Sequence, residues 1–422
     1  MSQNLLLSRR FAPLFWRQFF AAFNDNFIKN ALVLLILFQM GGEQGESLVT
    51  LAGAVFIAPF FILSGLGGQL ADKYDKAMIA RRLSLVEIGV AGLAAAGFAA
   101  ASLPFLFGAL FLFGVIGALF GPVKYGILPD HLAREELPAG NALVEGATFL
   151  AILTGTIAGG LAMEGSGDIA ALSVGMMAVA VASYASAWFI PQTARADPDL
   201  KVDVNILRST FSLLRKLWRE TMLWRVGMVT SLFWLFGAIA MSLLPPLVKN
   251  VLHGSEAAVT IHLSVFAVAI AVGSGLAAFL LKGRIVLLPT AMGAALVAIT
   301  ATDLGVSLIL SPPAGAAAGL APAAYFDQPA AWRATIDLAL LAVAGGLMIV
   351  PSFAAIQALC APNERARIIA AVNVLNAAFM AGGGTLVATL QGEGVTVPLL
   401  FIGVGVIALV SAIWIWSAVV AR

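Results

Sequence analysis

The chain is poor in charge and nearly devoid of cysteine. Only 11% of its 422 residues are Asp, Glu, Lys or Arg, against about 25% in soluble globular domains. So few ions cannot keep a water-facing surface in solution, and with 61% hydrophobic residues the surface is built for lipid. A single cysteine, Cys360, excludes an internal disulfide framework and a multi-cysteine metal site. A net charge of +2 gives no footing for nucleic acid. A cleavable leader is not expected. The first apolar run is long, contains Asn24, Asp25, Asn26, Lys29 and Asn30, and has no small-residue cleavage site after it.

What is present is a series of long apolar runs. A spanning helix needs about 20 mostly apolar residues. That window predicts twelve: 13–39, 47–71, 81–101, 104–124, 138–162, 168–190, 223–249, 258–281, 285–310, 333–359, 366–391 and 396–420. The longest polar connection, 191–222, divides the chain into an N-terminal six-helix half (1–190) and a C-terminal one (223–422). With both termini in the cytoplasm, 21 of the 24 Lys and Arg residues fall on that side, Lys249 and Arg333 fall outside, and Lys29 lies within the membrane. This asymmetry sets the expected orientation. Within the linker, Leu207, Phe211, Leu214 and Trp218 recur at helical spacing among Lys201, Arg208, Arg215, Lys216 and Arg219. They predict an amphipathic helix on the anionic inner leaflet. The stretch 311–331, rich in Pro, Ala and Gly, predicts a mobile outer loop. Gly117 with Gly121, Gly155 with Gly159, and Gly382 to Gly384 predict close helix approaches.

Three constellations carry chemistry. The first is Gly68-Gln69-Leu70-Ala71-Asp72-Lys73-Tyr74-Asp75-Lys76, which resembles the loop signature of the major facilitator superfamily. Gly68 allows close packing, and Asp72 is placed to meet a cation or the positive end of a helix. Asp72, Lys73 and Lys76 are therefore expected to latch an inner gate. The second is Asn24-Asp25-Asn26 with Lys29 and Asn30 in the middle of the first helix. A charge there costs about 2.5–3.5 kcal/mol on insertion scales, so it is expected to face the central cavity. Asp25 and Lys29, four residues apart, share one face about 6 Å apart along the axis. They read either as a masking salt bridge or as a pair that opens to hold a zwitterion. The third is Lys124 at the end of the fourth helix. Glu87, Asn141 and Glu145 are expected to gather round it as a second set of gate charges. Asn373 and Asn376 in the eleventh helix are expected to line the cavity, and His262 reads as structural.

Phe23-Asn24-Asp25-Asn26, Pro122-Val123-Lys124-Tyr125-Gly126-Ile127-Leu128 and Gly140-Asn141-Ala142-Leu143-Val144-Glu145-Gly146-Ala147-Thr148 together resemble the bacterial lysophospholipid transporter family. The likeness is dense over roughly the first 160 residues; Ser231-Leu232-Phe233-Trp234 extends it. The resemblance implies an all-α polytopic membrane protein with the major facilitator fold. It also implies a transporter without cofactor or metal in the bacterial inner membrane. Such a protein moves lysophospholipids, chiefly lysophosphatidylethanolamine, from the outer to the inner leaflet, where an acyltransferase/acyl-carrier-protein synthetase partner reacylates them. The chain also resembles the transporter portion of longer proteins that carry those enzymes. No H-x4-D motif of such an acyltransferase is found here: His131 is followed at that spacing by Glu136. One stretch departs from the family pattern. Gly237 to Leu243, midway along the seventh helix, has no charge. This leaves the phosphate to Lys29 or Lys124, or implies a different headgroup. A proton-driven exporter of drugs or small solutes fits the same fold and is the alternative.

Overall fold

In hydrocarbon every backbone N–H and C=O has to be satisfied within the protein, and a helix does this inside one segment. The computed structural model describes residues 4–40, 42–163, 168–311 and 319–420. Among the described residues, twelve helices are long and apolar enough to cross a membrane. They are α1 (Ala12–Met40), α2 (Gly42–Lys73), α3 (Lys76–Ala99), α4 (Leu103–Gly126), α5 (Leu137–Leu161) and α6 (Ile169–Trp188), then α7 (Thr221–Pro246), α8 (Glu256–Leu281), α9 (Leu288–Leu310), α10 (Pro329–Leu359), α11 (Arg365–Gly392) and α12 (Val397–Ile415). The molecule is an all-α polytopic membrane protein.

The chain forms two compact units. The first comprises Met1–Gly140, Leu150–Thr221 and Gln357–Ala377; the second comprises Asn141–Phe149, Met222–Ile356 and Ala378–Arg422. In the first unit a core is built from Ile28, Leu32 and Ile36 of α1, Val90 and Ala94 of α3, Leu110 and Phe113 of α4, and Met176 and Ala180 of α6. α5 meets α1 backbone to backbone. A Cβ on Gly155 would lie 2.3 Å from the Phe23 carbonyl oxygen, and one on Gly159 2.4 Å from that of Phe27. Only glycine admits this approach. Gly382 and Gly384, by contrast, face open space.

The linker contains a helix, Ile206–Arg219, capped by Asn205, whose side chain accepts from Arg208 N at 3.0 Å. Its Ser209, Leu213 and Leu217 are buried, while Leu207, Phe211 and Trp218 are exposed. Gln69 of α2 holds it in place: Nε2 donates to Ser209 Oγ (2.6 Å) and Oε1 accepts from Asp203 N (2.8 Å).

In the second unit, His262 Nδ1 lies 2.9 Å from Ala258 O and Nε2 lies 3.0 Å from Thr335 Oγ1 and 3.4 Å from Tyr325 Oη. The histidine thus joins α8, α10 and the short helix Pro322–Phe326, a structural role. This corrects the expected mobile loop. From Gly319 onward that stretch is held, since Gly319 and Leu320 donate to His253 O and Tyr325 is fully buried. Burial also pushes the Tyr325 hydroxyl pKa upward. Residues 312–318 of the predicted loop lie outside the described residues. Arg333 grips Asp303 with Nε (3.0 Å) and Nη2 (2.7 Å).

Candidate transport site and gate

The middle of α1 runs on as unbroken helix through Asn24, Asp25, Asn26, Lys29 and Asn30. Three of these residues turn inward or are committed to the backbone. Asn24 is fully buried, and neither amide atom has a hydrogen-bond partner among the described residues. Asn26 Nδ2 donates to Ala22 O of its own helix (2.8 Å). Asn30 Nδ2 donates to Thr156 O of α5 (2.8 Å). Asp25 and Lys29 are half-buried and, among the described residues, make no ion pair with each other. Asp25 stands within electrostatic reach of Glu87, Arg17, Lys29 and Lys124. Lys29 Nζ lies 5.7 Å from the centre of the Phe56 ring. The two charges therefore share one face and feel one another electrostatically without closing into an ion pair.

Lys124 lies with its Nζ 4.5 Å from the Tyr125 ring centre. Asn373 of α11 comes to the same region: its Nδ2 would be 2.7 Å from a Cβ on Gly121. Asn376, Asn141 and Glu145 are buried; the last two belong to the short part of α5 assigned to the second unit. Glu87, expected beside Lys124, is instead paired with Arg17. Both are fully buried, with Nη2 and Oε2 3.8 Å apart. Ser183 of α6 donates to Glu87 Oε2 (3.1 Å), Arg17 Nε donates to Ser84 Oγ (2.9 Å), and the guanidinium lies 3.3 Å from the centre of the Phe120 ring. Sequence reasoning had assigned Arg17 to the basic inner surface. The available signal was its position inside the predicted span 13–39, about one turn from its start, where a cation turned inward must find a partner.

The signature around Asp72 is resolved atom by atom. The loop is short: α2 ends at Lys73 and α3 begins at Lys76. Asp75 caps α3, accepting from Ala77 N (3.0 Å), and takes the N–H (2.9 Å) and hydroxyl (3.0 Å) of Thr193. Asp72 is fully buried. It accepts from the N–H groups of Ala366 (3.0 Å) and Arg367 (3.1 Å), and from Arg367 Nε (2.9 Å). Those N–H groups are unpaired donors of the first turn of α11, where helix partial charge is positive. Gly68 makes the approach possible, since a Cβ there would lie 2.6 Å from Ala370 Cβ and 2.8 Å from Ala366 O. The linker joins in. Asp197 Oδ2 accepts from Arg367 Nη2 (2.9 Å), Asp197 N donates to Asp72 O (2.8 Å), and Lys216 pairs with Glu364. Lys76 Nζ meets Asp130 at 2.9 Å, with Arg365 3.7 Å from the same carboxylate. Lys73 reaches the Tyr74 ring, 5.8 Å from its centre. Arg367, Asp130 and Asp197 are members of this network that the sequence motif did not disclose.

The sequence signature of the Major Facilitator Superfamily matches residues 14–327. Among solved structures, the human organic anion transporter MFSD10 (TETRAN) superposes with a TM-score of 0.75 at 14% identity, covering 96% of this chain and 98% of that one. A bacterial homologue of the iron transporter ferroportin, in an outward-facing state, gives 0.69 at 14% identity over 99% and 100%. At such identities these show the fold alone. The class is that of a membrane transporter. Two curated relatives go further. The lysophospholipid transporter LplT of Serratia proteamaculans (strain 568) is 31% identical over 83% of this chain and 81% of its own. That of Citrobacter koseri is 30% identical over 95% and 94%. The chain therefore belongs to the major facilitator superfamily and, within it, to the lysophospholipid transporter family.

Proposed function

We propose that this transporter carries lysophospholipids, chiefly lysophosphatidylethanolamine, from the outer to the inner leaflet of the bacterial inner membrane by alternating access. Its termini lie in the cytoplasm, where an acyltransferase/acyl-carrier-protein synthetase reacylates the product. The observation that carries the reading is the pair Asp25 and Lys29, half-buried midway along α1 and not closed into an ion pair, in a chain whose named relatives are lysophospholipid transporters. A zwitterionic headgroup offers an ammonium for Asp25 and a phosphate for Lys29. With no cation between Gly237 and Leu243 of α7, the phosphate partner on this chain is Lys29 or Lys124. Asn24, Asn26, Asn30, Asn373 and Asn376 supply uncharged polarity around them. Asp72, Lys73, Lys76, Lys124, Glu87, Asn141 and Glu145 serve the gate, with Asp72 as its latch.

Uptake of labelled lysophosphatidylethanolamine, resolved by back-extraction, tests this in cells expressing wild type or Asp25→Asn at equal membrane levels. We expect uptake over empty cells in wild type and at least about a tenfold loss in the variant, the worth of one charge-assisted hydrogen bond. A wild type with no uptake over empty cells sinks the reading.

A further inference from the structure

We propose that the linker helix Ile206–Arg219 is a sensor of membrane charge: it lies in the headgroup layer of the inner leaflet, where anionic lipid drawn to its arginines holds the Asp72 latch closed. Three stripes run along this helix. Ser209, Leu213 and Leu217 are buried against the protein. Leu207, Phe211, Leu214 and Trp218 follow one another at steps of four, three and four residues and so share a second side. Leu207, Phe211 and Trp218 on it are 68, 71 and 65% exposed. Arg208, Arg215 and Arg219, all exposed, make a third stripe beside the second. The helix therefore needs two apolar surroundings, and the protein supplies only one. Its depth identifies the other. A Cβ on Gly65 of α2 would lie 3.0 Å from Thr210 Oγ1, and Gln69 of α2 is bonded to Ser209. Both α2 positions fall within about two turns of the end of that spanning helix, the level at which acyl chains give way to headgroups. An apolar stripe beside a basic one at that depth suits a lipid surface of negative charge.

The arginines are available to lipid. Arg215 and Arg219 form no ion pair among the described residues, and Arg208 has only Asp203, 3.9 Å away on the surface. The helix is also joined to the latch. Lys216, on the side opposite the exposed apolar stripe, pairs with Glu364. Glu364 ends the short turn Pro362–Glu364, which leads directly into α11, and the first turn of α11 donates to Asp72. Earlier in the linker, Asp197 holds Arg367 and the Asp72 carbonyl. Lipid that fixes the helix therefore fixes the start of α11 against Asp72. In neutral lipid the arginines lose their counter-charges, and Lys216 holds Glu364 from a looser base. The sensor rests on the gate reading of Asp72 above and is independent of the cargo.

The test uses the full-length protein in nanodiscs of phosphatidylcholine alone, or of phosphatidylcholine and phosphatidylglycerol in equal parts. The latch is read by the rate at which a maleimide labels Cys360, which is buried beside it. Wild type is expected to label at least about fivefold more slowly in the anionic discs, the worth of one cation at a charged surface. Arg208→Gln/Arg215→Gln/Arg219→Gln, at exposed positions, should label at one rate in both discs. Lys216→Gln, which keeps the arginines but cuts the tie to Glu364, should lose most of the lipid dependence. The position of the helix is read separately, in Cys360→Ala/Phe211→Cys carrying a fluorophore. In anionic discs it should be quenched by nitroxide-labelled lipid and shielded from iodide, with or without Lys216→Gln. Equal wild-type rates in the two discs, or a difference that survives loss of the three arginines, overturns the proposal. So does a fluorophore open to iodide in both discs, which would leave the stripe to a cytosolic protein. Asp72→Asn should label fast in both discs; labelling at the wild-type rate removes the latch, and the sensor with it. None of these readouts uses a cargo. Failure of lysophosphatidylethanolamine uptake therefore leaves the sensor standing, and failure of lipid dependence leaves the transport reading standing.

Discussion

Arg17 and Glu87 sit where neither can reach water, and their contact is loose. The guanidinium has two nitrogens and the carboxyl one oxygen without a hydrogen bond among the described residues, while Nη2 and Oε2 stand 3.8 Å apart. Such a pair contributes little net stability, yet removing one partner is costly, because the other charge is left buried. Arg17→Met is expected to lower stability by about 3–5 kcal/mol, seen as a lower unfolding temperature of the purified protein. The double variant Arg17→Met/Glu87→Leu is expected to recover most of that loss. A double variant as unstable as the single one would mean that the ring contact with Phe120, rather than the pair, holds α1 in place. At this scale the sequence was only half legible. It disclosed that Asp25 and Lys29 are expensive and therefore have a use. It did not disclose that Glu87 turns to α1 and α6, because a partner 70 residues away leaves no local periodic trace.

Twelve spans were legible because hydropathy and length answer to the thickness of the bilayer. Their ends were less so. The third helix, expected from residue 81, begins at Lys76 because Asp75 caps it, and charged turns extend beyond the apolar run where headgroups and water accept them. Helix packing was legible in part. Gly155 and Gly159 do bring α5 onto α1, and of the run Gly382 to Gly384 only the middle residue packs closely, a Cβ on Gly383 lying 2.4 Å from Leu235 Cδ1 while Gly382 and Gly384 face open space, since a small-residue spacing does not say which face it lies on. Gly155→Val puts a branched side chain where even a Cβ would be 2.3 Å from the Phe23 carbonyl. It is expected to cost about 1–3 kcal/mol or more and to displace the α1 turn that carries Asn24 and Asp25. Uptake should then fall together with thermal stability. Gly382→Val, with open space around it, is expected to leave stability within about 0.5 kcal/mol of wild type.

On the scale of the whole molecule, α10 and α11 each pass from one compact unit into the other, and the Asp72 latch sits where α11 begins. The sequence motif announced the carboxylate and the kind of partner it needs. The linker's share, through Asp197 and Lys216, was not legible, because the linker read as a membrane-surface element in its own right. Cys360 is a built-in reporter of this region. It lies between α10 and α11, is buried, and feels the charges of Arg365, Glu364 and Asp72. Burial, the largest influence, pushes its thiol up to about 12. Only the thiolate reacts with a maleimide, and burial keeps that form scarce near neutral pH. Labelling of the native wild type should accordingly be slow and should climb with pH through the alkaline range, since the thiolate fraction grows as pH rises toward the thiol's own value. Asp72→Asn keeps the size of the side chain but removes its charge from the first turn of α11 and from Arg367. If Asp72 is the latch, the variant opens this region more often, and Cys360 labels at least about tenfold faster at the same pH, the equivalent of about 1.4 kcal/mol of lost closure. Equal rates in wild type and Asp72→Asn would mean that the N-terminus of α11 stays closed without its carboxylate, and the latch would have to be sought in the Lys76, Asp130 and Arg365 cluster instead.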